Sequence, residues 1–185
     1  MGDIVFRKLQ KDDLEVRVEW MNSEKIYRSM GYTPPITYEN TVEWFHRNES
    51  NERRVDFSLV ENGSCIAMSG LTNLNERLKL AEVYIFVDPE YIGCGFGTLM
   101  LLLTCHYGLS EWGLHKIYGY ADEDNLASSL LQQKIGFKQE GILRDEVFKE
   151  GRYKNRLYFG MLKEDFNVQL FEKLSTAGQS ITQSI

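Results

Sequence analysis

Between Ala81 and Thr98 the chain reads AEVYIFVDPEYIGCGFGT, and this stretch restricts the available folds more than any other. β-Branched and aromatic residues from Ala81 to Val87 specify a strand, which Asp88-Pro89 ends because proline has no N–H to give a sheet ladder. Gly93, Gly95 and Gly97 then alternate through a turn that runs into Leu99-Met100-Leu101-Leu102-Leu103, an apolar run that with its continuation to Trp112 is long enough for a buried helix. Lacking side chains, these glycines let backbone N–H groups converge at the positive end of a helix, whose first donors have no intrahelical acceptors. Such a place suits a phosphate. The competing account is a tight turn whose glycines only relieve steric strain.

Two common phosphate sites fit poorly. A P-loop needs Gly-Lys-Ser/Thr entering the helix, and here Thr98 and Leu99 follow Gly97. The dinucleotide fingerprint needs a last glycine three places after the second, in a βαβ unit that opens the domain.

The 185 residues suffice for one domain with a proper core. A formal net charge of −6 disfavours nucleic acid as the main partner, while cationic or neutral partners meet no such barrier. Cys65, Cys94 and Cys105 match no disulfide or zinc spacing, and His46, His106 and His115 show no ligand spacing, so no metal is assigned. His106, inside the apolar helix, reads as a core or interface residue. The start lacks a signal-peptide pattern and no apolar run reaches about 18 residues, so the expectation is a cytoplasmic protein without membrane spans.

Taken in order, Asp3–Lys8 reads as a strand, and a helical stretch starts at Asp12-Asp13 with Leu14, Val18 and Met21 on one face. Gly31–Pro35 breaks the pattern, and Thr37 caps a helix containing Val42, Trp44 and Phe45. Asn62-Gly63 joins the strands 54–60 and 64–74 as a hairpin, and a turn at 75–77 returns to the strand 80–87. After the central helix come a strand at 116–121, a helix at 126–135 closed by Gly136, and a long hairpin with strands at 137–148 and 153–162. Beyond Asp165 a short amphipathic piece precedes a polar tail from Ser175 that is expected to fray.

The loop Ile92-Gly93-Cys94-Gly95-Phe96-Gly97 resembles the Arg/Gln-x-x-Gly-x-Gly/Ala loop of the GNAT superfamily of N-acetyltransferases. A second segment, Asn125-Leu126-Ala127-Ser128 through Lys134-Ile135-Gly136-Phe137, resembles the family's Asn-x-x-Ala/Ser followed by Lys-x-Gly-Phe. The element order β-α-α-β-β-β-α-β-α-β-β is also similar to the family's over about residues 4–166. Trp20-Met21-Asn22, Pro34-Pro35-Ile36 and Phe148-x-x-Gly151 are most similar to the ribosomal-protein-type (RimJ/RimL-like) branch and to related amino-sugar enzymes.

That resemblance implies an α+β GNAT fold: a central, mostly antiparallel, twisted sheet of about seven strands flanked by about four helices. Residues 1–166 would form a single acetyltransferase domain, and 167–185 a partly disordered C-terminal extension. The cosubstrate implied is acetyl-CoA, with no metal. Its diphosphate would lie on Gly93, Cys94, Gly95, Phe96, Gly97 and Thr98, its pantetheine arm along Phe86 and Val87, with Asn125 and Ser128 beside it. Ile92 stands where arginine or glutamine is usual, which leaves the diphosphate to the backbone amides.

An amine acceptor, protonated at neutral pH with a reference pKa of about 10, must lose its proton before attacking the thioester. Glu82 is the base the resemblance implies, set against a solvated glutamate at a strand start; alternation places Glu82, Tyr84 and Phe86 on one face. The family's proton-donating tyrosine before Lys-x-Gly-Phe is replaced by Gln132, which cannot titrate. Tyr84, Tyr120, Tyr153 and Tyr158 have the right chemistry to stand in, and Tyr84 is taken with Glu82 as the catalytic pair. Tyr32, Arg77 and Tyr153, in the flanking loops with Arg152, are the candidate acceptor contacts. The acceptor classes are an amino sugar nucleotide, a protein N-terminus, a polyamine or an aminoglycoside, and the partners exclude nucleic acid and membrane and allow a homodimer. A non-catalytic acyl-CoA-binding or regulatory module is the alternative to an enzyme.

Overall fold

A computed structural model describes residues 3–176 and 181–184. The chain forms β1 (Ile4–Lys8), α1 (Leu14–Asn22), α2 (Glu24–Met30), α3 (Tyr38–Glu49), β2 (Val55–Glu61), β3 (Ser64–Asn75) and β4 (Leu80–Val87). It continues through α4 (Phe96–Ser110), β5 (Lys116–Asp122), α5 (Leu126–Ile135), β6 (Lys138–Lys149), β7 (Arg152–Leu162), α6 (Val168–Thr176) and β8 (Ile181–Ser184). One sheet runs in the order β6-β7-β5-β4-β3-β2-β1-β8, antiparallel except for the β4–β5 and β1–β8 pairs.

The mixed α+β GNAT architecture is the one expected, with eight strands and six α-helices among the described residues against about seven and about four. Two of the additions lie in the C-terminal region. There α6 lays Leu170, Phe171 and Leu174 against the core, Phe171 stacking on His106 of α4 with centroids 4.3 Å apart, and β8 pairs in parallel with β1. The fraying expected beyond Ser175 falls partly on residues 177–180 and 185, which lie outside the described ones.

The third addition is α2. A continuous helical stretch is broken at Ser23, which is extended (ψ 139°), and beside the break the side chain of Asn22 binds the chain fourteen residues on. Its Nδ2 donates to the Ile36 carbonyl (2.8 Å) and its Oδ1 accepts from the Ile36 amide (2.9 Å). The start of α3 follows the sequence more directly: Thr37 accepts from the Asn40 amide at 3.2 Å, as a helix cap does.

The helices cover the sheet on both faces. On one, α4 buries Leu101, Leu102 and Cys105 over β3, β4 and β5, joined by α5 and α6. On the other, Leu14, Trp20, Met21 and Ile26 of α1 and α2 pack on Met68 and Phe86. Burying a Leu, Phe or Met side chain contributes about 1.5–3 kcal/mol, so these two layers hold the sheet rigid beneath whatever sits at its centre.

Candidate active site

At its centre the sheet comes apart. Strands β4 and β5 pair only at Leu80–Lys116, Ala81–Ile117 and Glu82–Tyr118, and beyond Glu82 the ladder stops. The gap opens into a cavity of roughly 660 Å³ bounded by β4 from Glu82 to Val87, by Tyr120, Ala121 and Asp122 of β5, and by the glycine turn. Asn125, Ser128, Leu131, Gln132 and Lys134 close it from α5, and Lys25, Ile26, Ser29 and Met30 from α2.

The glycine turn meets the needs of an anion. Gly93 (φ 87°) and Gly95 (φ 93°) adopt left-handed conformations that a side chain would strain, and nothing lies within 4 Å of a Cβ placed on either. Thr98 and Leu99 donate to the Gly95 carbonyl and start α4. The amides of Gly93, Gly95, Phe96 and Gly97 have no protein acceptor among the described residues. Open N–H groups, a helix N-terminus and a gap between two strands fit the diphosphate and arm of a coenzyme A thioester.

The expected residues divide accordingly. Glu82, Tyr84, Phe86, Val87, Ile92, Gly93, Gly95, Gly97, Thr98, Asn125 and Ser128 line the cavity. Cys94 is exposed on the outside of the turn, and Phe96 packs its ring on Tyr91 at 5.7 Å, so neither side chain faces inward. Asn125 caps α5, its Oδ1 accepting from the Ser128 amide at 3.1 Å. Tyr32 sits among the core side chains of α1, Arg77 is exposed in the β3–β4 turn, and Tyr153 stacks edge-on against Phe148 at the exposed tip of the β6–β7 hairpin; none of the three lines the cavity.

Glu82 lies at the fork, half-buried, its Oε2 accepting from Asn73 Nδ2 at 2.8 Å. Tyr84 is differently placed. Its hydroxyl donates to Asp56, which also holds Arg54 by two hydrogen bonds, and burial together with the Asp56 charge pushes the phenol far above its ordinary range. A proton held that firmly is not offered to a leaving thiolate, so the catalytic role expected of Tyr84 finds no support in this geometry. Gln132 is buried, its Nε2 donating to the Tyr120 carbonyl (3.3 Å) and to Ser128 Oγ (3.4 Å), its Oε1 without a partner.

The wall formed by α2 was not legible as part of the site. It is tied in place by Lys149 of β6, whose Nζ donates to the Arg28 carbonyl (2.6 Å), to the Ser29 carbonyl (3.3 Å) and to Asp122. The Asn22–Ile36 clasp and this lysine, both reaching across long stretches of sequence, help to place Lys25 and Ser29 at the cavity. Among the described residues no group of His, Cys, Asp and Glu is arranged to hold a metal, and no helix is long and apolar enough to cross a membrane.

A sheet forked beside a glycine turn, with open amides at a helix N-terminus, defines the acetyl-CoA-dependent N-acetyltransferases, and the chain belongs to the acetyltransferase (GNAT) domain family, which it matches over residues 3–138. It is 28% identical to the spermidine N(1)-acetyltransferase of Escherichia coli (strain K12), over 96% of this chain and 94% of that protein. It is 26% identical to the putative ribosomal N-acetyltransferase YdaF of Bacillus subtilis (strain 168), over 70% of this chain and 72% of that protein. The fold is similar to that of the spermidine N-acetyltransferase from Vibrio cholerae solved in complex with CoA and spermine, with a TM-score of 0.84 and 24% identity, over 88% of this chain and 97% of that one.

Proposed function

We propose that this enzyme acetylates a primary amine of an aliphatic polyamine, with Glu82 as the general base. The observation that carries the reading is the position of Glu82: its carboxylate stands where the β4–β5 ladder ends and the cavity begins. The substrate class is supported by the resemblance to spermidine N-acetyltransferases along nearly the whole chain and by the net charge of −6, which favours cationic acceptors.

In this reading the diphosphate rests on the free amides of Gly93, Gly95, Phe96 and Gly97, and the arm follows β4. The acceptor ammonium gives a proton to Glu82, its nitrogen attacks the thioester carbonyl, the C–N bond forms as the C–S bond breaks, the nitrogen sheds its second proton to solvent, and Glu82 returns its own proton to solvent before the next turnover. The thiol of the leaving group has a reference pKa of about 8.5, so it departs as thiolate and takes its proton from water, since Gln132 has none to give. Positioning two reactants in one cleft supplies much of the rate.

The likeness to the putative ribosomal N-acetyltransferase supports a second reading, membership of the RimJ/RimL-like branch, for which a protein N-terminus is the acceptor to test. Thiol release from acetyl-CoA, assayed with spermidine, spermine, butylamine, an aminoglycoside and an N-terminal peptide, separates the two. The polyamines should be turned over with the highest kcat/KM. Preference for the peptide would transfer the enzyme to the second class, and binding of acetyl-CoA with no turnover of any amine would make it a non-catalytic module.

A further inference from the structure

Three tyrosines stand together on the sheet face beside Glu82. Tyr118 and Tyr120 are two residues apart on β5 and therefore share a face, and Tyr158 of β7 lies directly across from Tyr120. Their rings are mutual neighbours, with centroids 5.9 Å (Tyr118–Tyr120), 5.7 Å (Tyr118–Tyr158) and 5.4 Å (Tyr120–Tyr158) apart. The opposite face of β5 sends Ile117 and Ala121 into the core under α4, whereas the three rings belong to none of the core clusters and are half-buried. They are not there to fill the interior.

Two of the rings already hold cations. The Arg156 guanidinium lies 4.4 Å from the centre of Tyr120, and Lys116 Nζ lies 5.5 Å from that of Tyr158. Tyr118 has no cation of the protein over it among the described residues, and it is the registered partner of Glu82. Glu82 is close enough to hold both Tyr118 and Tyr120 above the ordinary phenol range, after burial, which is the larger cause; Tyr118 is pushed up to about 12. The surface thus joins an electron-rich ring face to a carboxylate at the fork of the sheet.

We propose that Tyr118, flanked by Tyr120 and Tyr158, is the surface that selects the acceptor: a second ammonium of a polyamine lies on the Tyr118 ring while the amine to be acetylated sits at Glu82. This rests on the polyamine reading and adds to it the residues that distinguish a polyamine from a monoamine. A cation on a tyrosine face is held by the ring quadrupole, the more strongly the further it is desolvated. Arg156, held over Tyr120 and lining the cavity, competes for the same surface.

The test uses spermidine and butylamine as acceptors with the full chain. Tyr118→Leu should raise KM for spermidine about five- to tenfold, leave KM for acetyl-CoA unchanged and reduce the preference for spermidine over butylamine, while Tyr118→Phe, which keeps the ring, should stay within about twofold. Arg156→Met, which leaves all three rings in place, should lower KM for spermidine about threefold by removing a resident cation. An unchanged spermidine KM in folded Tyr118→Leu, an equal loss in Tyr118→Phe, or a raised KM in Arg156→Met would overturn the assignment while leaving the polyamine reading intact. A wild-type enzyme that turns over butylamine but no polyamine would overturn both.

Discussion

Lys149 Nζ reaches from β6 to Asp122 at the end of β5 and, in the same grip, to the carbonyls of Arg28 and Ser29 at the end of α2. One ammonium thereby fixes three elements around the cavity mouth. Lys149→Met should destabilise the fold by about 3 kcal/mol, because it strands the buried Asp122 carboxylate, and should raise KM for acetyl-CoA as α2 loosens. The double variant Lys149→Met/Asp122→Asn should recover part of the stability and none of the affinity. Urea denaturation with steady-state kinetics checks both.

Glu82→Gln should lower kcat by about a hundredfold at neutral pH, the usual contribution of a positioned base. The loss should shrink as pH rises toward the acceptor pKa of about 10, where free amine is supplied by the solvent. A pH–rate profile of wild type and variant makes the comparison; a constant ratio would remove Glu82 from the proton transfer.

Gly95 opens α4 with φ 93° and no neighbour within 4 Å of a Cβ. Gly95→Val therefore places its Cβ in open space. Its backbone penalty is about 1–2 kcal/mol, the cost of a side chain in the left-handed region, and the branched side chain projects where the diphosphate approaches. Calorimetric titration should show acetyl-CoA affinity reduced at least tenfold in a protein that still melts cooperatively.

Asp13 links β1 to β2: it accepts from Arg7 at 2.6 and 2.8 Å, from the Gln10 amide at 2.9 Å and from Ser58 Oγ at 2.8 Å. Burial pushes the carboxyl up, but the Arg7 guanidinium and the two other donors outweigh it and hold it below its ordinary value. A depressed folded value means that the contribution is complete above the unfolded pKa of about 4 and is lost as pH falls below it. Asp13→Asn should cost about 3 kcal/mol at pH 7 and should flatten the fall in stability between about pH 4.5 and pH 3, measured by denaturant titration at each pH.

Where local chemistry decides the structure, the sequence was a sufficient guide. Asn62 (φ 51°) and Gly63 (φ 84°) form the tight turn that this dipeptide specifies, Asp88-Pro89 follows the end of β4, and the three glycines sit where β4 hands over to α4. Glu82, singled out by the family resemblance and placed on one face with Tyr84 and Phe86 by strand alternation, does line the cavity. Distant partners decided the remainder. No local pattern reveals that Asn22 clasps Ile36, so the break at Ser23 and the placing of Lys25 and Ser29 were hidden. Tyr84 looked like a free phenol because Asp56, its acceptor, lies two strands away. The ring cluster around Tyr118 was hidden because it is completed by Tyr158, forty residues later in the chain.

The early end of the β4–β5 ladder gives the middle of the sheet a raw margin that ordinarily belongs at its rim. Exposed margins of this kind attract any extended backbone, and this one lies within the cavity, between α2 and α5. A slender molecule with amides of its own can continue the hydrogen-bonding pattern there. In the proposed reading, donor choice would be a matter of secondary-structure grammar as much as of shape: the thioester would act as a missing half-strand and close the seam that the sheet leaves open.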